Sequence, residues 1–314
     1  METFTQLKNI PQWMGFLKQL QEENCPLSDL KTLLFGGYFY NFTSPVPTMK
    51  KLEAALNTAV SLNADMLMLP TVRNNVGSEI LRENGFHKIP FYLESIFKIE
   101  GGSVEDTLVK SVGRKQFRYM RNSMLRAKEH YHFSFHASQE LLEKPELLKT
   151  AAHLHHMNAS KYAHAINYYN EDSLKGILES PIGQNFYVGL RQCKTSLKPI
   201  QVCLLFIEPK FSHIYFLAQG IAVEQQKAPA NLYLAIFFEI YLLAESLGIQ
   251  AVQLGRGGHI NKRKMGANHF FLLNNWIKTA NNSTESALLK LTTKAEHFWN
   301  TEIENLFKSS VTVL

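Results

Sequence analysis

Cysteine is scarce in this chain: Cys25, Cys193 and Cys203 are odd in number, and no two of them form a CxxC pair. That excludes a disulfide framework or a four-cysteine zinc site as the basis of the fold and favours a reducing compartment. The stretch from Met1 to Lys8 lacks the basic start and apolar run of a secretory leader, so a cytoplasmic location is expected. Long hydrophobic runs are missing too. The most apolar stretch, Leu232 to Ala244, contains Glu239 and is too short for a membrane span. Nor does the chain hold a GxxxxGK[ST] loop, a GxGxxG turn, a GxSxG elbow or an HExxH pair, which removes the usual warrants for a P-loop, a Rossmann site, a serine hydrolase or a zinc protease. His153, His155 and His156, with His164 further on, lack the spacing of a metal site, and no metal is expected. No repeat of fixed period is visible.

What the chain does have is an ordinary globular composition. Apolar residues make up 45% and charged residues 19%, a balance that excludes a largely disordered protein. At 314 residues it is long enough for one large or two smaller domains. Lys and Arg outnumber Asp and Glu by 33 to 27, a formal charge of +6 that suits an anionic partner such as a phosphate-bearing ligand or an RNA.

The first hundred residues alternate strands and helices. Leu33 to Gly36 and Asp65 to Leu69 are buried-strand runs, the second closed by Pro70. Between them, Met49, Leu52, Ala55, Leu56 and Ala59 share one side of a helix over Thr48 to Leu62. Val76 to Asn84 reads as a short helix with Gly85 at its left-handed cap, and Phe91 to Ile99 alternates as a strand. This is an α/β layer pattern. After Gly101-Gly102 come a basic helix, Gly113 to Tyr131, and a strand, Phe133 to His136. A helical region follows over Gln139 to Lys161, broken at Pro145, and then a helix over Tyr169 to Leu178. Three strands with turn-like linkers succeed it, Phe186 to Arg191, Ile200 to Ile207 and Ser212 to Gln219. The apolar helix Leu232 to Leu247, the strand Ala251 to Leu254, a glycine-rich turn and the strand Phe270 to Ile277 complete the unit. Ser283 to Phe307 reads as a C-terminal helix.

Three stretches carry chemistry. On the basic helix, Arg114, Arg118, Arg121 and Lys128 share a face, opposed by Phe117, Met120, Met124 and Ala127, and no acid occurs from Arg114 to Lys128. Such a stripe offers forked donors to phosphate or carboxylate, or is a solvated outer face. The linker Ile221 to Asn231 leads into a helix start, whose free N–H groups favour an anion, while Ala228 and Ala230 leave room for a ligand against the backbone. An ordinary strand-to-helix loop reads the same way. Finally, Gly255, Gly257 and Gly258 enclose Arg256, with Lys262-Arg263-Lys264 after them, a turn able to bring backbone close to a charged ligand.

Taken in order, these pieces resemble the acetyltransferase-like domain of the Fem-type peptidoglycan aminoacyltransferases, a branch of the GNAT superfamily. Arg118-Tyr119-Met120-Arg121-Asn122 resembles the R-x-x-R-R helix start, with Asn122 in place of the last Arg. Lys227 to Leu232 is similar to the small-residue loop. Gln253 to Gly266 resembles the D-F-G-x-G-x-x-x-Y-K-x-x-x-G segment, matching at Gly255, Gly257, Lys262 and Gly266 and departing at Gln253 and Asn261. About half the chain is covered. The resemblance implies an α/β (α+β) GNAT fold with a mixed, largely antiparallel sheet, as two GNAT-like domains in tandem with the first shortened. The expected division is residues 1–100 as the N-terminal α/β domain, 101–280 as the GNAT-like acyltransferase domain and 281–314 as a C-terminal helix packing on the core. It implies an N-acyltransferase moving an acyl group from acyl-CoA to an amine acceptor by direct attack, with an aminoacyl-tRNA donor or an inactive binding module as alternatives. Gln225, Gln226, Lys227, Ala228, Ala230 and Asn231 would hold the donor. Arg114, Arg118, Arg121, Gly255, Arg256 and Gly257 would contact substrate. Lys262 is drawn in by the resemblance, and Tyr215 and His259 are chosen as proton-transfer candidates by chemical type and location.

Overall fold

The computed structural model describes residues 2–6, 29–35, 46–73, 78–161, 167–208, 210, 212–222, 230–256, 258–280 and 285–308. These residues fall into two compact units, Met1–Glu94 with Phe271–Leu314, and Ser95–Phe270.

In the first unit, strand β1 (Glu2–Gln6) runs antiparallel to β2 (Lys31–Phe35), which lies parallel to β3 (Met66–Arg73). Strand β10 (His269–Thr279) pairs antiparallel with β3, and β4 spans His87–Lys98. Helix α1 (Met49–Ser61) buries Leu52 and Ala55 beside Leu33, Leu67 and Trp276, as its apolar spacing requires. Short α2 (Glu79–Glu83) ends at Gly85, which takes the expected left-handed conformation at φ 76°. Pro70 does not close its strand. β3 continues to Arg73 because the pairing with β10 slips between Asn274 and Trp276, and the Asn275 side chain accepts the Thr71 N–H at 3.1 Å. A bulge at this point accommodates a residue with no N–H to give. Leu288, Leu291 and Ala295 of the long terminal helix α9 (Glu285–Lys308) are buried with Leu34, Met66 and Ile277.

The second unit is an antiparallel meander followed by one parallel strand. β5 (Tyr131–Ala137), β6 (Phe186–Cys193), β7 (Pro199–Glu208) and β8 (His213–Ile221) pair in sequence order, and β9 (Ala251–Arg256) lies parallel to β8. Helices cover both faces. On one side lie α3 (Val104–His130) and α7 (Leu232–Ser246), on the other α4 (Ser138–Glu143), α5 (Pro145–Ala159) and α6 (Glu171–Glu179). Coverage on both sides explains why β7 is apolar without alternation: Cys203, Leu205 and Ile207 join one core, Val202 and Leu204 the other.

The basic helix begins earlier than the sequence led us to expect. Ser103 caps it by accepting the Asp106 N–H at 3.0 Å, and Gly113 (φ 79°, ψ 159°) kinks it where the expected start lay. The basic run Lys262 to Lys264, to which the sequence assigned no element, forms a short helix, α8 (His259–Lys264).

Candidate functional site

The feature that sets the second unit apart is a fork. The register between β8 and β9 pairs His213, Ile214 and Tyr215 with Ala251, Val252 and Gln253, and β8 then runs on to Ile221 without β9 beside it. Just past the branching point β8 carries a bulge: Phe216 faces Leu205 and Ala218 faces Leu204, so the register shifts by one residue at Leu217. One extra residue reverses the in–out phase of everything that follows. Phe216 therefore belongs to the core under α7, whereas Ala218 packs under the α4–α6 side and Gly220 meets α5.

That reversal brings α5 onto the sheet at Gly220. A Cβ at this position would land on the Leu154 carbonyl and within 2.7 Å of the His155 nitrogen, so only glycine fits. The close approach buries His155, whose ring lies edge-on to Tyr169 at 5.2 Å. Burial lowers the tendency of His155 to take a proton, a hydrogen bond to the Gln219 backbone opposes this, and His156 adds weakly to the lowering. On the opposite side of the strand, the Gln219 Oε1 is buried with no hydrogen-bond partner among the described residues. An acceptor without a donor at the open side of a fork is what a ligand N–H or O–H would satisfy.

Beyond the fork the chain enters α7. Ala230 is buried, and Asn231 caps the helix by accepting the Leu234 N–H at 3.2 Å. Gln225, Gln226, Lys227 and Ala228 lie outside the described residues.

The remaining expected residues distribute as follows. Tyr215 stands at the branching point, opposite Gln253, with its hydroxyl 3.5 Å from Glu208 and its ring stacked on His213. Gly255, the second-last residue of β9, takes a left-handed conformation (φ 76°) two residues beyond Gln253. The backbone of Arg256 completes that strand, and Gly257 falls outside the described residues. His259 and Lys262 sit on α8, entered through left-handed Gly258 at φ 57°. Lys262 is 8% exposed, and its carbonyl accepts the N–H groups of Met265 and Ala267. Gly266 (φ 109°) follows it against Leu108 and Phe97. Gln116 of α3 donates to the Lys264 carbonyl at 3.0 Å, and the Tyr241 hydroxyl to Met265 at 2.9 Å, so α3 and α7 both anchor this segment. Arg114, Arg118 and Arg121 lie on the exposed side of α3, while Phe117, Met120, Met124 and Ala127 are buried. The structure thus gathers Tyr215 and Gly255 at the fork, sets His259 and Lys262 on the helix just after β9, and leaves the three arginines on the surface. Among the described residues, no group of three or more His, Cys, Asp or Glu could hold a metal ion, and no helix is long and apolar enough to cross a membrane.

Sequence reasoning missed Gln219, Gly220 and His155. The signal was present as a glycine near the end of an apolar strand, a position that costs stability unless another backbone must come close.

No protein-family model and no curated protein matches the chain by sequence. Solved structures resemble it in fold. The C-terminal domain of a putative lysylphosphatidylglycerol synthetase from Agrobacterium fabrum is 10% identical, with 84% of this chain and 81% of that one superposed at a TM-score of 0.57. L-PGS from Bacillus licheniformis is 11% identical, with 83% and 81% covered and the same TM-score of 0.57. A conserved protein of unknown function from Bacteroides thetaiotaomicron is 12% identical over 78% of each chain, at a TM-score of 0.50. Similarity at such low identity speaks to fold alone. Together with the meander, the fork and the helix between β8 and β9, it makes this a mixed α/β, largely antiparallel fold of the GNAT type.

Proposed function

We propose that the chain is an acyltransferase whose activated donor lies in the fork between β8 and β9, with its acyl carbon at the bulge. The fork is the observation that carries this reading. The stretch of β8 from Ala218 to Ile221, which β9 does not flank, offers a strand edge to an extended, amide-bearing arm. The bulge beside Leu217 bends β8 at the branching point, where the donor's carbonyl would lie. The α7 start, the positive end of the helix dipole, suits the donor's phosphates, and Ala230 leaves them space.

In this reading the donor is an acyl-CoA thioester and the acceptor an amine. The amine nitrogen attacks the thioester carbon, the C–S bond breaks, and the amine proton ends on the departing thiolate or on solvent. Holding the two partners in line supplies most of the rate, without a covalent enzyme intermediate. Tyr215, at the branching point, is our candidate to protonate the leaving sulfur, with His259 as acceptor of the amine proton and Lys262 as a positive charge near the developing oxyanion. Arg256, Gly255 and Gly257 would border the acceptor.

A second reading replaces the thioester by an aminoacyl-tRNA ester, as in Fem-type aminoacyltransferases. Two observations favour it: two of the three neighbours are a putative lysylphosphatidylglycerol synthetase domain and an L-PGS, and Arg114, Arg118 and Arg121 form an exposed stripe with no acid between them. A thermal-shift titration with CoA, acetyl-CoA, longer acyl-CoAs and total tRNA separates the two. Saturable stabilisation by a CoA species supports the first reading. Stabilisation by tRNA alone, falling steeply as salt rises, supports the second. Silence from both contradicts a transferase and leaves an inactive binding module.

A further inference from the structure

A separate cavity opens on the α3/α7 face of the second unit. Its volume is about 520 Å³, within the range that holds small-molecule ligands. Phe133, Phe135 and Leu242 form its apolar walls, and Lys128 and Lys194 line it as exposed cations. Glu239 of α7 is the one acid among the lining residues.

Glu239 is there because of Arg191. The Arg191 guanidinium is wholly buried on β6, lies over the Phe133 ring at 4.8 Å and donates to Gln201 Oε1 at 2.9 Å. Its Nη2 pairs with Glu239 Oε2, and Gln201 passes the chain on by donating to the Leu232 carbonyl at 2.9 Å. The pairing satisfies only half of the carboxylate. Glu239 is 6% exposed, and its Oε1 is buried with no hydrogen-bond partner among the described residues. Burial pushes the Glu239 carboxyl up, against the pull of Arg191 and, more weakly, of Lys128. A carboxylate oxygen left without a donor beside a cavity is costly, and a ligand that supplies the donor recovers that cost. The dispositions of charge then define the ligand from both ends: a hydrogen-bond donor near Glu239, a few apolar carbons along Phe133, Phe135 and Leu242, and an anion at the lysines.

We infer that this cavity is a second ligand site, taking a small acid that carries an amino or hydroxyl group at the far end of a short apolar chain. The donor group meets Glu239 Oε1 and the acid group meets Lys128 and Lys194. The inference does not depend on the donor reading of the fork, since none of these residues lines it.

The test is calorimetric titration of the full chain with ε-aminocaproate and its hydroxy counterpart, against caproate, which lacks the donor, and hexylamine, which lacks the acid. The bifunctional acids should bind saturably, and each one-ended probe at least about tenfold more weakly, the worth of one charge-assisted hydrogen bond. Two variants at the exposed mouth, Lys128→Gln with Lys194→Gln and, separately, Ser246→Trp, should keep the wild-type melting temperature and lose the binding. Glu239→Gln tests the floor, and the mouth variants keep the test valid if it does not fold. Equal binding by caproate, unchanged binding in both mouth variants, or no saturable binding below about 10 mM would overturn the inference. None of these outcomes bears on CoA or tRNA binding, so failure here and failure of the transferase reading are separately visible.

Discussion

The two faces of the second unit's sheet solve the same packing problem in opposite ways. On the α5 face a helix backbone is pressed onto the strand at Gly220, and the core beneath holds Leu148, Ala151, Leu154 and Val202 with little polar content beyond His155. On the α3/α7 face a buried arginine, a glutamine and a glutamate are linked under an open cavity. Contact distance decides the difference. Where glycine and alanine let backbones meet, no room remains for side-chain chemistry on that face. Where Phe133 and Phe135 line the cavity with Glu239, space and an unsatisfied polar atom remain together.

The first way to break this comparison is to add one methyl group to the tight face. Gly220→Ala should cost about 3 kcal/mol or more in denaturant-induced unfolding, since backbone cannot rotate away as a side chain would. A loss under about 1 kcal/mol would show that α5 is not held where the fold requires it. Next comes the buried pair on the open face. Arg191→Met strands Glu239 without its charge partner and should cost about 3–5 kcal/mol, while Arg191→Met with Glu239→Leu should recover most of the loss. A double variant as unstable as the single one would mean that the pair acts through packing and not through charge.

Smaller effects sharpen the contrast through titration. Cys193, half-buried at the end of β6, has its thiol pulled down to about 6 by hydrogen bonds from Ser196 and Thr195, while burial pushes the Cys203 thiol far up. Alkylation of Cys193 in a Cys25→Ser background should reach half its plateau rate near pH 6, with Cys203 unreactive in the folded protein. A plateau reached only above pH 8 would contradict the hydrogen-bonded thiolate. The smallest effect belongs to His155. Its folded-state proton affinity is depressed by burial, so its contribution to stability is complete above the unfolded value of about 6.5 and is lost as pH falls toward its lower folded value. Wild type should therefore lose more stability than His155→Gln between neutral and mildly acid pH. Parallel losses would remove His155 from the account.

Much of this architecture was legible locally. Phe117, Met120, Met124 and Ala127 repeat at helical spacing, and all four are buried. Gly85, placed after a short helix, takes the left-handed cap. What could not be read depends on partners distant in sequence. The Arg191 pairing spans 48 residues to Glu239, and inside an apolar run Glu239 looks merely like an interruption of a hydrophobic helix. Pro70 reads as a stop because the side chain of Asn275 that accommodates the bulge beside it comes from 204 residues away from Thr71. The bulge at Leu217 is invisible for a similar reason: a one-residue slip is a property of β8 against β7, not of β8 alone. The candidate site inherits this limit. Tyr215 could be chosen by type and location, whereas Gln219, Gly220 and His155 acquire meaning only once the phase of β8 has reversed.

The claim on which the rest depends is that the donor occupies the fork. Hydrogen–deuterium exchange of the full chain with and without saturating acetyl-CoA tests it residue by residue. The account predicts new protection confined to Phe216 through Ala222 and to the first turn of α7, with exchange around the α3/α7 cavity unchanged. Protection of the cavity segment Tyr131 to Phe135 in place of the fork, or no change anywhere under saturating ligand, would contradict it.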